Sequence, residues 1–215
     1  MADLSKGDAE YFLDGDNDLR TSPAPRNSND VLLVSSDSVL FTVDRIGPNW
    51  VSDVFGRATG QLVRADYDED AKAFLYSTLT DGLFFANGLI DVEDVVVVAE
   101  TRGERLALID ADTGEITRRF PLPGGPDNLT RAPGGSILAA VHPSLLKLGM
   151  HRRFGAEHAP SRAVRVDPET GAWSLLFDDP TGKVFTGATV AAEIDGKLVL
   201  GSATDRGLLV CEKPK

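Results

Sequence analysis

Five residues of this chain carry hard oxygen donors where they can act together: Asn29, Asp30, Asn87, Asp127 and Asn128. Each stands at or just before the head of a short apolar run. Carboxamide and carboxylate oxygens are the donors preferred by calcium, which takes roughly six to eight of them at about 2.3–2.6 Å. The same residue types form the turns that precede strands, so type alone leaves both readings open. His142, in the sequence His-Pro-Ser, follows another apolar run, and Asp44-Arg45 follows a third. There is no GxSxG elbow, HExxH helix, phosphate-cradling GxxxxGK[ST] loop or CxxC pair to direct the chemistry elsewhere. The Asp-rich stretch 14–18 begins like an EF-hand loop, but the required Gly and Glu do not follow it.

The elements that must position these groups are short and repeated. Apolar runs such as 95–99, 137–141 and 198–200 alternate with clusters of Gly, Pro, Asp and Thr, the pattern of strands and turns. Three segments superpose: one from Asn87, one from Asn128 continuing at Ser161, and one from Gly187. Asp110-Ala-Asp-Thr-Gly114 and Asp167-Pro-Glu-Thr-Gly171 occupy matching places as hairpin turns, with Gly where a positive φ is needed. A fainter unit runs from Asn29, with its turn at 68–71. Asn87 and Asn128 are 41 residues apart, a spacing suited to a four-stranded blade. A β-sandwich would not repeat one strand and turn order at this period. The expected fold is therefore an all-β propeller of about four blades, with innermost strands whose starts gather the oxygen donors around a central channel. Residues 145–160 interrupt one blade and read as a surface loop. The expected organisation is one partial propeller domain over 1–215, with 1–27 an acidic segment of no clear structure.

A net charge of −11 disfavours nucleic acid and anionic membrane surfaces and favours cations. No apolar run approaches the roughly 20 residues of a membrane span, and no secretion signal opens the chain, so a soluble, cytoplasmic protein is expected. A single cysteine, Cys211, can form no internal disulfide.

The ordered set FFANGL (84–89), PDNLT (126–130), AAVHPS (139–144), VDPETG (166–171) and 186–212, preceded by SNDVLLV (28–34) and TVD (42–44), resembles the paraoxonase family of arylesterases and lactonases. The match covers about 29–212. The resemblance implies a six-bladed propeller using calcium to hydrolyse small esters or lactones. It implies Asn29, Asn87, Asp127 and Asn128 as calcium ligands and Asp30 as a ligand of a second, structural calcium. It places His142 close to the active site, and Asp44 behind the family's catalytic histidine pair. That pair, one acidic ligand and the disulfide partner of a cysteine at the place of Cys211 belong to blades with no counterpart here. Arg45 stands where the family has histidine and Val43 where it has asparagine, so the surroundings of Asp44 have changed. Two alternatives follow: a strictosidine synthase-like propeller that needs no calcium, and a non-catalytic incomplete propeller acting as a binding or assembly module. Open blade edges would pair copies of the chain into a homo-oligomer.

Overall fold

The runs expected as strands are strands because each is rich in β-branched or apolar residues and ends in a residue that breaks the ladder. The computed structural model describes residues 27–46, 57–155 and 158–212. They form four antiparallel sheets, each made of sequence-consecutive strands. Blade 1 holds β1 (Ser28–Leu33), β2 (Ser38–Val43), β3 (Gly60–Asp68) and β4 (Ala73–Leu83). Blade 2 holds β5 (Ala86–Val92), β6 (Val95–Glu100), β7 (Arg105–Asp110) and β8 (Ile116–Pro121). Blade 3 holds β9 (Gly125–Arg131), β10 (Ile137–His142), β11 (Ser161–Val166) and β12 (Trp173–Asp179). Blade 4 shows three strands, β13 (Ala188–Ile194), β14 (Lys197–Ser202) and β15 (Leu209–Glu212). The first strands, β1, β5, β9 and β13, lie side by side across consecutive blades. This is the expected propeller arrangement.

Two turns show why the hairpins were legible. Gly114 and Gly171 adopt φ of 74° and 73°, which side chains with a Cβ tolerate poorly. Upstream, Asp110 and Asp167 each use Oδ1 to accept backbone N–H groups two and three residues on. These bonds hold both carboxyls below the usual aspartate range. The turn at 68–71 closes likewise, Ala71 N donating to Asp68 Oδ1 at 2.7 Å.

Each middle strand buries both faces, which explains the unbroken apolar run of β6. Val96 and Val98 pack toward Leu40, Leu62 and Leu83 of blade 1, whereas Val97 and Ala99 pack toward Leu129, Ile137 and Val164 of blade 3. Leu138 and Ala163 of blade 3 meet Ala188, Leu198 and Leu200 of blade 4. Cys211 sits half-buried against this last cluster, and burial raises its thiol above the ordinary value, making it a poor nucleophile. The far face of blade 1 carries its own apolar cluster of Phe41, Val43, Val63 and Ala65, edged by Tyr76.

The segment expected as a loop contains a helix, α1 (Leu145–Phe154). Ser144 caps its start, accepting from Lys147 N, and Gly155 ends it in the left-handed region with φ of 63°. His151, Arg152 and Arg153 in the last turn complement the helix dipole. The expected acidic segment 1–27 lies outside the described residues except for Asn27, as does the Asp-rich stretch 14–18.

Glu100, which ends β6, is fully buried, and four donors meet its carboxylate. Its carboxylate accepts from Arg105 Nε at 2.6 Å and Nη2 at 3.1 Å, from Arg119 Nε at 3.1 Å and from Phe84 N at 3.0 Å. Burial alone would raise its pKa, but the bonds from Arg105, Phe84 and Arg119 outweigh burial and leave it below the ordinary 4.5. A carboxyl whose folded value is depressed stabilises the fold above its unfolded value and loses that contribution as pH falls through the folded one. Chemical denaturation of the wild type should therefore show stability falling once pH drops below 4.5. Glu100→Gln should lose about 3 kcal/mol at pH 7 and flatten that acid limb. An acid limb of unchanged slope in the variant would rule out Glu100 as its source.

Candidate functional site

Every innermost strand contains one extra residue at the same place. Opposite the two steps from Val43 to Phe41, β1 takes three from Ser28 to Val31. β5 takes three from Ala86 to Leu89 against two from Glu100 to Val98. β9 takes three from Pro126 to Leu129 against two from Val141 to Ala139. β13 takes two from Ala188 to Val190 against one from Ser202 to Gly201. A bulge of this kind bends its strand and re-aims the side chains within it. The bulged residues are Asn29 and Asp30, Asn87 and Gly88, Asp127 and Asn128, and Thr189. The residues expected to supply oxygen donors thus occupy the bulges of three successive blades.

Side chains stitch the bulges together. Leu89 N donates to Asp30 Oδ2 at 2.9 Å, and Thr42 Oγ1 donates to the Asn87 carbonyl at 2.7 Å, joining blades 1 and 2. Thr101 Oγ1 donates to the Pro126 carbonyl at 2.6 Å, joining blades 2 and 3. Asn128 Nδ2 donates to the Thr189 carbonyl at 2.9 Å, joining blades 3 and 4. At Gly88 the strands pass so closely that an added Cβ would lie 2.5 Å from the Asp127 carbonyl oxygen and 2.7 Å from Asn128 Cα. Asn87 and the Asp127-Asn128 pair are therefore neighbours in space.

Within this group Asn87 is oriented by one bond. It is buried, its Nδ2 donates to Thr101 Oγ1 at 3.2 Å, and its Oδ1 is buried without a partner among the described residues. A buried carbonyl oxygen left unpaired costs about 1–3 kcal/mol, so one kept in that state invites a ligand. Asn128 commits its nitrogen to blade 4, an orientation that keeps its oxygen for another donor. Asp127 Oδ2 lies 2.8 Å from His142 Nε2, the arrangement in which an imidazole N–H donates to a carboxylate. His142 is 2% exposed, and its Nδ1 has no partner among the described residues.

Not every expected residue joins the cluster in the same way. Asn29 is exposed at the head of β1, and both carboxylate oxygens of Asp30 accept backbone N–H groups, from Val31 and Leu89. Asp44 forms a partly buried ion pair with Arg45 at 3.0 Å. His151 is half-buried in α1, and His158 Nδ1 lies 2.9 Å from Thr186 Oγ1. Among the described residues no three His, Cys, Asp or Glu side chains gather as a metal cluster. The donors brought together here are instead mostly carboxamides.

Thr42, Glu100, Thr101 and the bulges themselves are positioning features that residue types alone do not single out. One signal was present: the second strand of each blade ends in or beside a polar residue, Thr42, Glu100, His142 or Ser202. A polar group closing an otherwise buried strand must find a partner, and the first three are almost wholly buried.

Comparison with known proteins agrees on the architecture. No protein-family model matches the chain. It is 30% identical over 164 residues to the adipocyte plasma membrane-associated protein of Salmo salar, covering 64% of this chain and 39% of that protein. A solved structure provisionally described as a gluconolactonase aligns with a TM-score of 0.56 at 15% identity, covering 88% of this chain and 60% of that one. The luciferin-regenerating enzyme aligns with a TM-score of 0.50 at 19% identity, covering 84% and 56%. The chain thus spans 39–60% of the length of these three proteins. At these identities the solved structures speak for the fold, and the fold is an all-β propeller. No described helix is long and apolar enough to cross a membrane.

The contact at Gly88 yields a direct test of the geometry. Gly88→Ala should force β5 and β9 apart and lower stability by about 1–3 kcal/mol, measured by urea denaturation. Wild-type stability in this variant would show that the close passage does not set the site's spacing.

Proposed function

We propose that this chain hydrolyses small esters or lactones at the face where its bulged inner strands converge, with calcium held by Asn87, Asn128 and Asp127 and approached by Asn29. The observation that carries the reading is the buried, partnerless Oδ1 of Asn87 beside the Asp127-Asn128 bulge. The donor chemistry fits a hard cation, since calcium accepts carboxamide, carboxylate and backbone oxygens in irregular geometry. When bound, the ion supplies a Lewis acid that polarises a carbonyl oxygen and favours the charge developing on it. The described side chains supply fewer oxygens than calcium takes, so main-chain carbonyls, water and substrate complete the set. The gluconolactonase description and the ordered resemblance to paraoxonases support the same reaction class.

The chain's own residues supply acid–base chemistry. In this reading the Asp127–His142 couple, joined at 2.8 Å, takes the proton of the attacking water. Water oxygen bonds to the carbonyl carbon, the bond from that carbon to the alkoxy oxygen breaks, and the couple returns the proton to the departing alcohol. Thr101 keeps the Asn87 carboxamide from rotating, because its hydroxyl is already donating to Pro126 and can only accept from Nδ2. Asp30, with both oxygens engaged by the backbone, joins blades 1 and 2, and we assign it no ligand role at this site.

Calorimetric titration with calcium should show binding that weakens by about tenfold or more in Asn87→Ala and Asn128→Ala. Hydrolysis of phenyl acetate and a simple γ-lactone should stop with a chelator and return with calcium. Asp127→Asn should lower kcat by about 10²–10⁴ while the fold persists by circular dichroism. Turnover that survives the chelator and both Asn substitutions would overturn the calcium reading.

A further inference from the structure

Helix α1 has two unlike sides. Its inner side seats it across the heads of two inner strands. A Cβ on Gly125, the first residue of β9, would lie 3.0 Å from Leu145 Cδ2, and one on Gly187, just ahead of β13, 3.1 Å from Leu148 Cδ1. On the outer side Leu146, Met150 and Phe154 recur every four residues and form one stripe, 76%, 44% and 72% exposed. At about 100° per residue, Lys147 and Arg153 border that stripe on either side. Both are exposed, and the helix holds no carboxylate. We propose that this outer side of α1 is the docking surface for the acidic segment 8–18 of the same chain.

The segment complements the helix in both charge and apolarity. Residues 8–18, which lie outside the described residues, read Asp-Ala-Glu-Tyr-Phe-Leu-Asp-Gly-Asp-Asn-Asp. They carry five carboxylates and no cation, with three consecutive large apolar side chains at Tyr11, Phe12 and Leu13. The tether is long enough. Asp18 and Asn27 are nine residues apart, a reach of about 30 Å when extended, and Asn27 stands directly ahead of the inner strand β1. From β1 through β5 to β9 there are two steps between packed sheets, about 10 Å each.

Charge also weighs against the other occupants of such a surface. A second copy meeting α1 through its own α1 brings the same patch against itself, so Lys147 and Arg153 would face only further cations. An anionic lipid surface would attract the helix but repel a chain of net charge −11. The acidic segment meets neither penalty, and its tether raises its effective concentration at the helix without any partner. Docked there, it runs along the rim where the heads of β9 and β13 lead into the bulges at Asp127-Asn128 and Thr189. The inference goes beyond the hydrolase reading, and its test needs no turnover.

The full chain, as an equal mixture of unlabelled and isotope-labelled copies, would be treated at low salt with a carbodiimide that joins amine to carboxylate directly. Mass spectrometry then maps the links. Lys147 should link to carboxylates of 8–18 within one copy, and the initial rate should fall about tenfold in about 1 M salt, where charges are screened beyond roughly 3 Å. Phe154→Ser, a change at an exposed position, should slow the same links about tenfold while circular dichroism stays unchanged. Hydrogen exchange of the 145–154 amides gives a second reading. It should quicken when Asp14→Lys, Asp16→Lys and Asp18→Lys are combined, and slow again when Arg152→Glu and Arg153→Glu are added. Links from Lys147 found only between copies would assign the surface to a second copy. Exchange in α1 that slows only when phosphatidylserine vesicles are added would assign it to lipid. Either result overturns the proposal, as do intramolecular links that miss 8–18 or that are indifferent to salt and to Phe154→Ser.

Discussion

The close passage of β5 over β9 is the constraint on which the rest of this site depends. With no Cβ at Gly88, the backbone of blade 2 reaches the Asp127 carbonyl and the Asn128 Cα. That contact lets Thr101 span from Asn87 to the Pro126 carbonyl, and it puts two carboxamides from different blades on a common edge. Elsewhere the blades are separated by a full layer of side chains, such as Val97, Leu129 and Ile137. Apolar packing sets the angle between sheets but cannot place a polar atom. The placement comes from the inner edge, where backbone meets backbone and each bulge turns a donor out of the ladder.

A second consequence concerns burial. Where polar groups near the inner strands are buried, each needs a protein partner or a ligand. Thr42, Glu100 and Thr101 meet this demand with bonds to the next strand or blade, or to arginines. Asn87 Oδ1 and His142 Nδ1 do not. One belongs to the bulge of blade 2, and the other to a ring at the end of β10 that is bonded to Asp127 in the bulge of blade 3. That coincidence is the argument for treating the bulges as a candidate site and not only as turns.

The parts of the fold that were legible in the sequence are those determined within a few residues. Asp110 to Gly114 and Asp167 to Gly171 encode their hairpins locally, through an Asp that accepts from the turn and a Gly that takes its φ. The run Val95 to Ala99 announces a strand buried on both faces. The bulges were hidden because an extra residue is defined only by the partner strand. Ala86 to Leu89 is ordinary until it is set against Glu100 to Val98. Helix α1 was obscured for a different reason. Leu145 and Leu148 fall on the opposite side of the helix from the exposed Leu146, Met150 and Phe154, so no single apolar stripe marks the segment as a helix. The oxygen donors were picked out by type and by family resemblance, and Thr101 was missed because its role lies in the orientation of another side chain.

The composition of the site also bears on which ion it suits. Two carboxamides and one carboxylate, the latter already bonded to His142, make a donor set of low negative charge. A small ion that demands rigid octahedral ligation and dehydrates reluctantly gains little from such neutral oxygens, whereas a larger one with flexible coordination can gather them with backbone carbonyls. A transition metal would look for imidazole or thiolate nitrogen and sulfur. His142 has its Nε2 on Asp127 and Cys211 is packed in the blade 4 core, so no cluster of imidazole and thiolate stands with the carboxamides among the described residues. The donors, the bulges that aim them and the overall charge of −11 are thus in keeping with the hard, adaptable cation proposed above.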